Sequence, residues 1–255
     1  MKILFISDIH LGARYVTDHR AHEARIVDFL RREGSAADHI YLLGDILDYW
    51  FEYRDVVPRG YIRFFGELAA LSDAGVGITW LTGNHDIWLF DYLRDELRIE
   101  VVDAPYISRE IGDSRFILAH GDRIGHASAG FRFICSVFRN RICQKLYAAL
   151  HPRITVPFAK AWSDSSRSGK GEATETQRDN HIKILIGDAD RLALDNPGTD
   201  IAVMGHHHIP LDTHLPQSGA RLIVLGDWID KDTYAVYDGK DISLRKYVPT
   251  EVINE

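Results

Sequence analysis

The sequence predicts an α/β chain whose mainly parallel β core is interrupted by a helical insertion, and three observations carry that prediction. Short continuous apolar runs occupy Ile3–Ile6, Ile40–Leu43, Phe116–Ala119 and Ile201–Met204. Uninterrupted runs of this length read as strands covered on both faces. Helical spacing falls between strands in the first half of the chain, and strands alternating with helices read as βαβ units. The third observation is that the four runs end in Asp8-Ile9-His10, Gly44-Asp45, His120-Gly121-Asp122 and Gly205-His206-His207-His208. A fifth cluster, Gly83-Asn84-His85-Asp86, follows the strand expected at Ile78–Leu81. Open α/β sheets place ligand sites at such strand ends.

In chain order, a first strand leads to a helix over about Asp18–Arg32, a second strand to a helix over about Gly60–Ala74, and a third strand to a helix over about Trp88–Leu97. Shorter strands follow through Ala119. After Asp122 the pattern changes. Phe131, Ile134, Phe138, Ile142, Leu146 and Leu150 recur at helical spacing, and Phe133, Val137, Tyr147 and Ala148 form a second apolar strip beside them. Pro152 and Pro157 are expected to break this helix, Ser163–Thr176 to form a loop, and Gln177–Leu194 to return to helix. Strands resume at Ile201–Met204, Leu222–Leu225, Thr233–Tyr237 and Ile242–Tyr247. The expected organisation is a discontinuous core, 1–122 and 197–248, with a helical cap at 123–196.

At 255 residues, 45% hydrophobic and 26% charged, the composition is that of a globular chain and excludes fibrous and disordered classes. No apolar run approaches the roughly 20 residues needed to span a bilayer. Met1-Lys2 leads straight into the first strand without a signal-like apolar region, so the cytoplasm is the expected compartment. Cys135 and Cys143, eight residues apart in a helical stretch, would lie about 12 Å apart along its axis. That separation is too great for a disulfide. The net charge of −7 is uneven, because 123–160 holds seven Lys or Arg and no Asp or Glu. Such segregation suggests a local surface that faces anions or a membrane. No extended basic track with interleaved aromatics marks the core, which argues against nucleic acid as a partner.

The strand-end clusters carry the chemistry. Asp8 and His10 lie two residues apart, as do His206 and His208, so in an extended strand end each pair points to one side. Carboxylate, imidazole and amide donors without thiolate suit Mn²⁺, Fe, Zn²⁺ or Mg²⁺. Two ions sharing one carboxylate suit in-line displacement at phosphorus. Taken alone, any one of these residues reads as a helix cap or a packed histidine; five clusters in one strand-end context do not.

The pattern D-x-H, G-D-x-x-D, G-N-H-D, H and G-H-x-H, present here in order, resembles that of the calcineurin-like metallophosphoesterases. The resemblance implies the family's fold, two packed mixed β-sheets flanked by helices, here with a helical cap insertion. It implies two divalent ions, Mn²⁺ foremost. Asp8, His10, Asp45 and His208 would hold one ion, and Asp45, Asn84, His120 and His206 the other, with a water between them activated to attack phosphorus. Two such ions bring four positive charges against the two negative charges of Asp8 and Asp45, so the site would attract phosphate in an acidic protein. His85 would contact the phosphoryl oxygen or leaving group, oriented by Asp48. Many family phosphatases have arginine after Asp48; this chain has Tyr49, so a phosphate clamp must come from elsewhere. Asp86 reads as a cap for the following helix.

Within that superfamily the chain looks most like the UDP-2,3-diacylglucosamine pyrophosphatases of lipid A synthesis. The supporting residues are His120-Gly121-Asp122, Ala129-Gly130-Phe131-Arg132, the helical insertion and Gly226-Asp227-Trp228. This resemblance implies hydrolysis of a UDP-linked glycolipid to 2,3-diacylglucosamine 1-phosphate and UMP, at the cytoplasmic face of the inner membrane, with no obligate protein partner. Asp122, Arg123, Phe131, Arg132, Arg167 and Lys170 would contact substrate. Some enzymes of this activity carry Arg at the position of His85, and His207 stands where Thr or Arg is frequent; His207 is not expected to be a ligand. The alternatives are a phosphoesterase acting on a soluble monoester or nucleotide diester and, more remotely, a non-catalytic scaffold.

Overall fold

The computed structural model describes residues 1–125, 129–168 and 174–249, and among these all side chains except those at 129, 131, 132, 160 and 162–168. The elements in chain order are β1 (Ile3–Ile6), α1 (His19–Glu33), β2 (His39–Leu43), α2 (Ile62–Asp73), β3 (Gly77–Leu81), α3 (Tyr92–Leu97), β4 (Glu100–Val102), β5 (Ile107–Ile111) and β6 (Ser114–Ala119). Four helices follow: α4 (Ala129–Arg139), α5 (Arg141–Ala148), α6 (Pro152–Ser168) and α7 (Glu175–Asp195). The chain then returns to strand at β7 (Ile201–Met204), β8 (Leu211–His214), β9 (Arg221–Val224), β10 (Thr233–Tyr237) and β11 (Ile242–Lys246).

Two mixed sheets result. One has the order β11-β10-β1-β2-β3-β4 and the other β5-β6-β7-β9-β8. In the first, β1 to β4 are parallel and β10 and β11 antiparallel. In the second, β6, β7 and β9 are parallel, with β5 and β8 antiparallel at the edges. The period-2 alternation of each strand explains how the sheets stack. Ile3 and Phe5 of β1 join Phe116, Leu118, Ile201 and Val203 in the core between the sheets. Leu4 and Ile6 face the other way, onto Ile26, Phe29 and Leu30 of α1 and Phe64 and Leu68 of α2. On the far side, Ala202 and Met204 of β7 meet Leu185, Ala189 and Ala193 of α7. Strands buried on both faces are thus the physical reason the runs contain no polar alternation.

The insertion departs from expectation in two places. The long helix expected from Phe131 divides at Asn140, whose side chain accepts hydrogen bonds from the amides of Ile142 (2.9 Å) and Cys143 (3.2 Å) and so caps a new helix. Cys135 and Cys143 therefore sit on different helices, and both are free thiols. Pro152 follows a break as expected, since α5 ends at Ala148 and a new helix opens at Pro152, but Pro157 lies inside that helix and does not break it. Pro152 occupies the first position of α6, where its missing N–H costs nothing, and Pro157 forfeits only one intrahelical bond in the second turn. Residues 163–168, expected in a loop, continue that helix. Likewise α3 begins at Tyr92 rather than Trp88, because the Glu52 carboxylate gathers the amides of Phe90, Asp91 and Tyr92 at 2.6 to 3.2 Å.

The cap docks through aromatics. Tyr49, Phe51, Ile87 and Trp88 of the core pack with Phe138 of α4, Tyr147 of α5 and Val156 of α6. The Trp88 indole donates to the carbonyl of Phe138 (2.9 Å), and the Tyr49 and Tyr147 hydroxyls pair at 3.1 Å. Tyr49 is thereby committed to holding the cap.

Candidate active site

The five polar clusters meet at one end of the two sheets. Gly44-Asp45 follows β2 and lies against Asp8, whose amide donates to the carbonyl of Gly44 (3.1 Å); the His10 amide donates to the carbonyl of Asp45 (2.9 Å). The His85 amide donates to Asp45 Oδ1 and the His206 amide to Asp8 Oδ2, each at 2.9 Å. Two glycines make this approach feasible. A Cβ on Gly83 would lie 2.5 Å from the Asp45 nitrogen, and one on Gly205 would lie 2.6 Å from Asp8 Oδ2.

The backbone here is not the extended strand end expected from the spacing of the pairs. Asp8 (φ 54°), His10 (52°), Asp45 (54°), His206 (69°) and His208 (54°) all adopt left-handed conformations. They are five of the eight non-glycine residues with positive φ among the described residues. Non-glycine residues rarely adopt this region, which costs about 1–2 kcal/mol each, and its concentration at one site marks a functional constraint. The i and i+2 side chains still converge, by this turn rather than by strand pleating.

Among the described residues three groups of donors form: His10 with Asp48 and His85, and two that hold the expected ligands. Asp8 Oδ1 lies 3.8 Å from His10 Nε2 and 3.4 Å from His208 Nε2, and the two imidazole nitrogens are 3.4 Å apart. His120 Nε2 lies 3.4 Å from Asp45 Oδ2 and 3.3 Å from Asn84 Oδ1, and His206 completes this second group. Asp45 Oδ2 is also 3.8 Å from His10 Nε2, so one carboxylate faces both groups. Ligands about 2.0–2.2 Å from a common ion stand roughly 3.0–3.6 Å from one another. Asp8 Oδ1 is buried without a hydrogen-bond partner, the state of an oxygen shaped for a cation. The residues present therefore fit two divalent ions.

Charge follows the same geometry. Burial pushes the Asp8 carboxyl up from its ordinary pKa. Burial opposes the charge on Asp45 too, but the imidazoles of His120, His85 and His10 hold it well below the usual carboxylate range. Burial and then the neighbouring His120 hold His206 well below an ordinary imidazole, which keeps it in the neutral form a metal needs.

Further carboxylates fix the ligands. Asp227 Oδ2 lies 3.4 Å from His208 Nδ1, and the carbonyl of Leu43 lies 2.9 Å from His120 Nδ1, the outer contacts that set a ligand imidazole's orientation. Asp48 Oδ1 stands 3.5 Å from His10 Nδ1 and 3.6 Å from His85 Nδ1, whose ring is also 3.1 Å from the Asp48 carbonyl. His85 Nε2 then points to within 4.0 Å of Asp45 Oδ2. Asp86 does not cap a helix. Its Oδ1 accepts from Gly83 N (2.7 Å) and Asp45 N (3.3 Å), and its Oδ2 from Ile46 N (2.9 Å) and Trp80 Nε1 (3.1 Å). It staples together the two loops that carry Asp45 and Asn84. Buried with Asp45 close by, its pKa rises to about 6.

Of the expected substrate contacts, Asp122 is buried next to ligand His120, and Arg123 reaches Asp103 at 3.0 Å. Phe131 and Arg132 lie on α4 and Arg167 on α6, with side chains outside the described set, and Lys170 lies outside the described residues. His207 is not among the ligand donors; its Nδ1 pairs with Nε2 of His181 on α7 at 3.0 Å. Sequence reasoning missed the roles of Asp86 and Asp227. Only Asp227 carried a signal, standing just past β9 as the other clusters stand past their strands.

Comparison with known proteins agrees with this geometry. Residues 1–210 match the calcineurin-like phosphoesterase model, a span that includes every metal-ligand candidate. The chain is 41% identical over 95% of its length to the UDP-2,3-diacylglucosamine hydrolase of Porphyromonas gingivalis, covering 96% of that protein. It is 28% identical over 92% of its length to the protein of the same name from Aeromonas salmonicida, covering 89% of it. With its ligand loops, its two mixed sheets and this match in agreement, the chain belongs to the calcineurin-like phosphoesterase family.

Proposed function

We propose that the protein hydrolyses the pyrophosphate bond of UDP-2,3-diacylglucosamine, releasing 2,3-diacylglucosamine 1-phosphate and UMP, as a step of lipid A synthesis. The observation that carries the substrate is a two-faced cap beside the metal loops. Its inner face docks on the core through Phe138, Tyr147 and Val156, while Phe133 and Ile142 (each 69% exposed), Leu146, Leu150, Ile154 and Phe158 lie outside. Exposed Arg141, Lys145 and Arg153 accompany them. Exposed apolar side chains accompanied by basic ones suit a ligand with acyl chains and an anionic head. The Porphyromonas gingivalis relative, named for this substrate and matched end to end, supports the same reading.

Asp8, His10, Asp45 and His208 would hold one ion, and Asp45, Asn84, His120 and His206 the other; the donor set suits Mn²⁺. When bound, the ions supply Lewis acidity at the phosphoryl oxygens and a water acidified for attack. The chain's residues do the rest. Asp45 faces both ligand groups and keeps them in register. The Asp48 carbonyl and carboxylate hold His85 Nδ1, so that an imidazolium at this position turns its Nε2 proton toward the departing oxygen. Asp122, Arg123, Phe131, Arg132, Arg167 and Lys170 would contact substrate from the cap and its root, the segment at 123–196. No helix among the described residues is long and apolar enough to cross a membrane. The cap's exposed side chains and basic flank instead support peripheral contact with the cytoplasmic face of the inner membrane.

The experiment is mass-spectrometric identification of products from Mn²⁺-loaded protein and UDP-2,3-diacylglucosamine. The lipid 1-phosphate with UMP is expected. No turnover of the lipid, with a soluble phosphoester hydrolysed under the same conditions, would overturn the proposal in favour of a soluble-substrate phosphoesterase.

A further inference from the structure

Arg139, the last residue of α4, and Arg123 stand together where the cap joins the core. Arg139 Nε donates to Asp103 Oδ1 (3.1 Å), and its Nη2 donates to the carbonyl of Gly83 (3.2 Å), the residue before Asn84. Arg123 Nη2 lies 3.0 Å from the same Asp103 oxygen. Asp122 is farther from both, at 3.8 Å from Arg139 and 4.0 Å from Arg123. Asp103 Oδ1, on a half-exposed residue, is thus the one carboxylate oxygen within hydrogen-bond distance of two guanidiniums that are mostly buried, with the buried Asp122 carboxylate as a more distant ion-pair partner. Among the described residues, Arg139 Nη1 is buried without a hydrogen-bond partner. Burial, and then the neighbouring Arg139, push the Arg123 pKa below its ordinary value, against the opposing pull of Asp103 and Asp122. Both arginines adjoin ligands of the second metal group, Asn84 through Gly83 and His120 through Asp122.

Paired guanidiniums with unused donors beside a phosphoryl-transfer centre are suited to bidentate contact with phosphate oxygens. Tyr49, at the position where the sequence lacks an arginine, is engaged with Tyr147 and cannot serve as this clamp. We propose that Arg139, with Arg123, binds the phosphoryl group of the pyrophosphate that is not attacked, so that the cap delivers a phosphate clamp to the metal loops. This rests on the reading of the substrate as a pyrophosphate diester. Asp103 holds both arginines in place and shares them with the substrate. Because Arg139 is carried by the cap, the same contact makes substrate binding depend on the cap's position.

The test is calorimetric binding of two water-soluble probes to Mn²⁺-loaded protein: UDP-N-acetylglucosamine, with two phosphoryl groups, and UMP, with one. The wild-type protein should prefer the first. In Arg139→Gln, affinity for the pyrophosphate diester should fall about 10- to 100-fold, the scale of a lost charge-assisted contact, with a much smaller change for UMP. Arg139→Lys should recover part of it, and Mn²⁺ content and Tm should hold in both variants. Absence of a wild-type preference, equal losses for the two probes, or losses accompanied by lost metal or lowered Tm would overturn the proposal and leave Arg139 a structural anchor. The substrate reading fails separately: a protein with Arg139-dependent binding of UDP-N-acetylglucosamine that does not cleave the diacylated substrate would sink that reading alone.

Discussion

Asp45 is the residue on which the rest of the site converges. Its Oδ2 faces His10 at 3.8 Å and His120 at 3.4 Å, while its Oδ1 accepts the His85 amide. Asp8 faces only the first group. Asp45→Asn should therefore lose more activity and more bound metal than Asp8→Asn, measured as kcat and as metal per chain; equal losses would count against a shared carboxylate. His85 is different in kind, because it groups with His10 and Asp48 and stands apart from the two groups that hold the expected ligands, its Nε2 4.0 Å from Asp45 Oδ2. Its replacement by alanine should lower kcat by roughly 10²–10⁴-fold, the range for a lost general acid, while both ions stay bound. A metal-replete variant at the wild-type rate would remove His85 from the chemistry. The left-handed backbone at five ligand positions suits these residue types, since Asp and His tolerate that region better than most side chains.

Among the elements, the strands and the helical insertion were legible, and the boundaries of the helices within the insertion were not. Continuous apolar runs such as Ile3–Ile6 and Ile201–Met204 can only be buried on both faces, and their polar successors can only lie at the rim. The metal-ligand candidates were for that reason readable from the sequence. What sequence could not supply were contacts between partners distant in the chain, Glu52 gathering the amides before α3 and Asp86 joining two loops, and the choice of Asn140 as the local cap that divides the insertion helix. Each is a short polar side chain whose local pattern fits a cap equally well. Pro157 misled for a simpler reason, since a proline near a helix start removes a single bond. The cap's outer face has a direct test. Ile142→Gln with Leu146→Gln removes apolar surface from α5 at positions 69% and 66% exposed, so folding should change little. The kcat/KM for the diacylated substrate should fall by about tenfold or more, given roughly 1.5–3 kcal/mol for an aliphatic side chain that binding would bury. An unchanged value would assign that face to something other than the acyl chains.

At the scale of the whole molecule, two sheets deliver the site together: β1, β2 and β3 from one, β6 and β7 from the other. Neither sheet alone holds both ligand groups, so the packing between them is a condition of activity. Stability also carries a pH signature away from the metals. His22 is buried on α1, and burial, followed by the neighbouring Arg25, lowers its pKa to about 4. The native ring is neutral where an unfolded chain, with an ordinary imidazole pKa of about 6.5, takes up a proton. Stability should therefore fall as pH drops from about 6.5 to 4, by an amount on the order of 2–3 kcal/mol at the lower end. In His22→Leu that part of the decline should disappear from denaturant titrations; an unaltered slope would place the effect elsewhere.

In the proposed function the ligand loops determine the reaction and the cap determines the substrate, and one ratio tests that division most directly. It is kcat/KM for UDP-2,3-diacylglucosamine over kcat/KM for UDP-N-acetylglucosamine, which keeps the pyrophosphate and the sugar but lacks the acyl chains. A ratio above about 10³ is expected, since even two or three buried aliphatic contacts exceed 4 kcal/mol. A ratio near or below one would contradict the account.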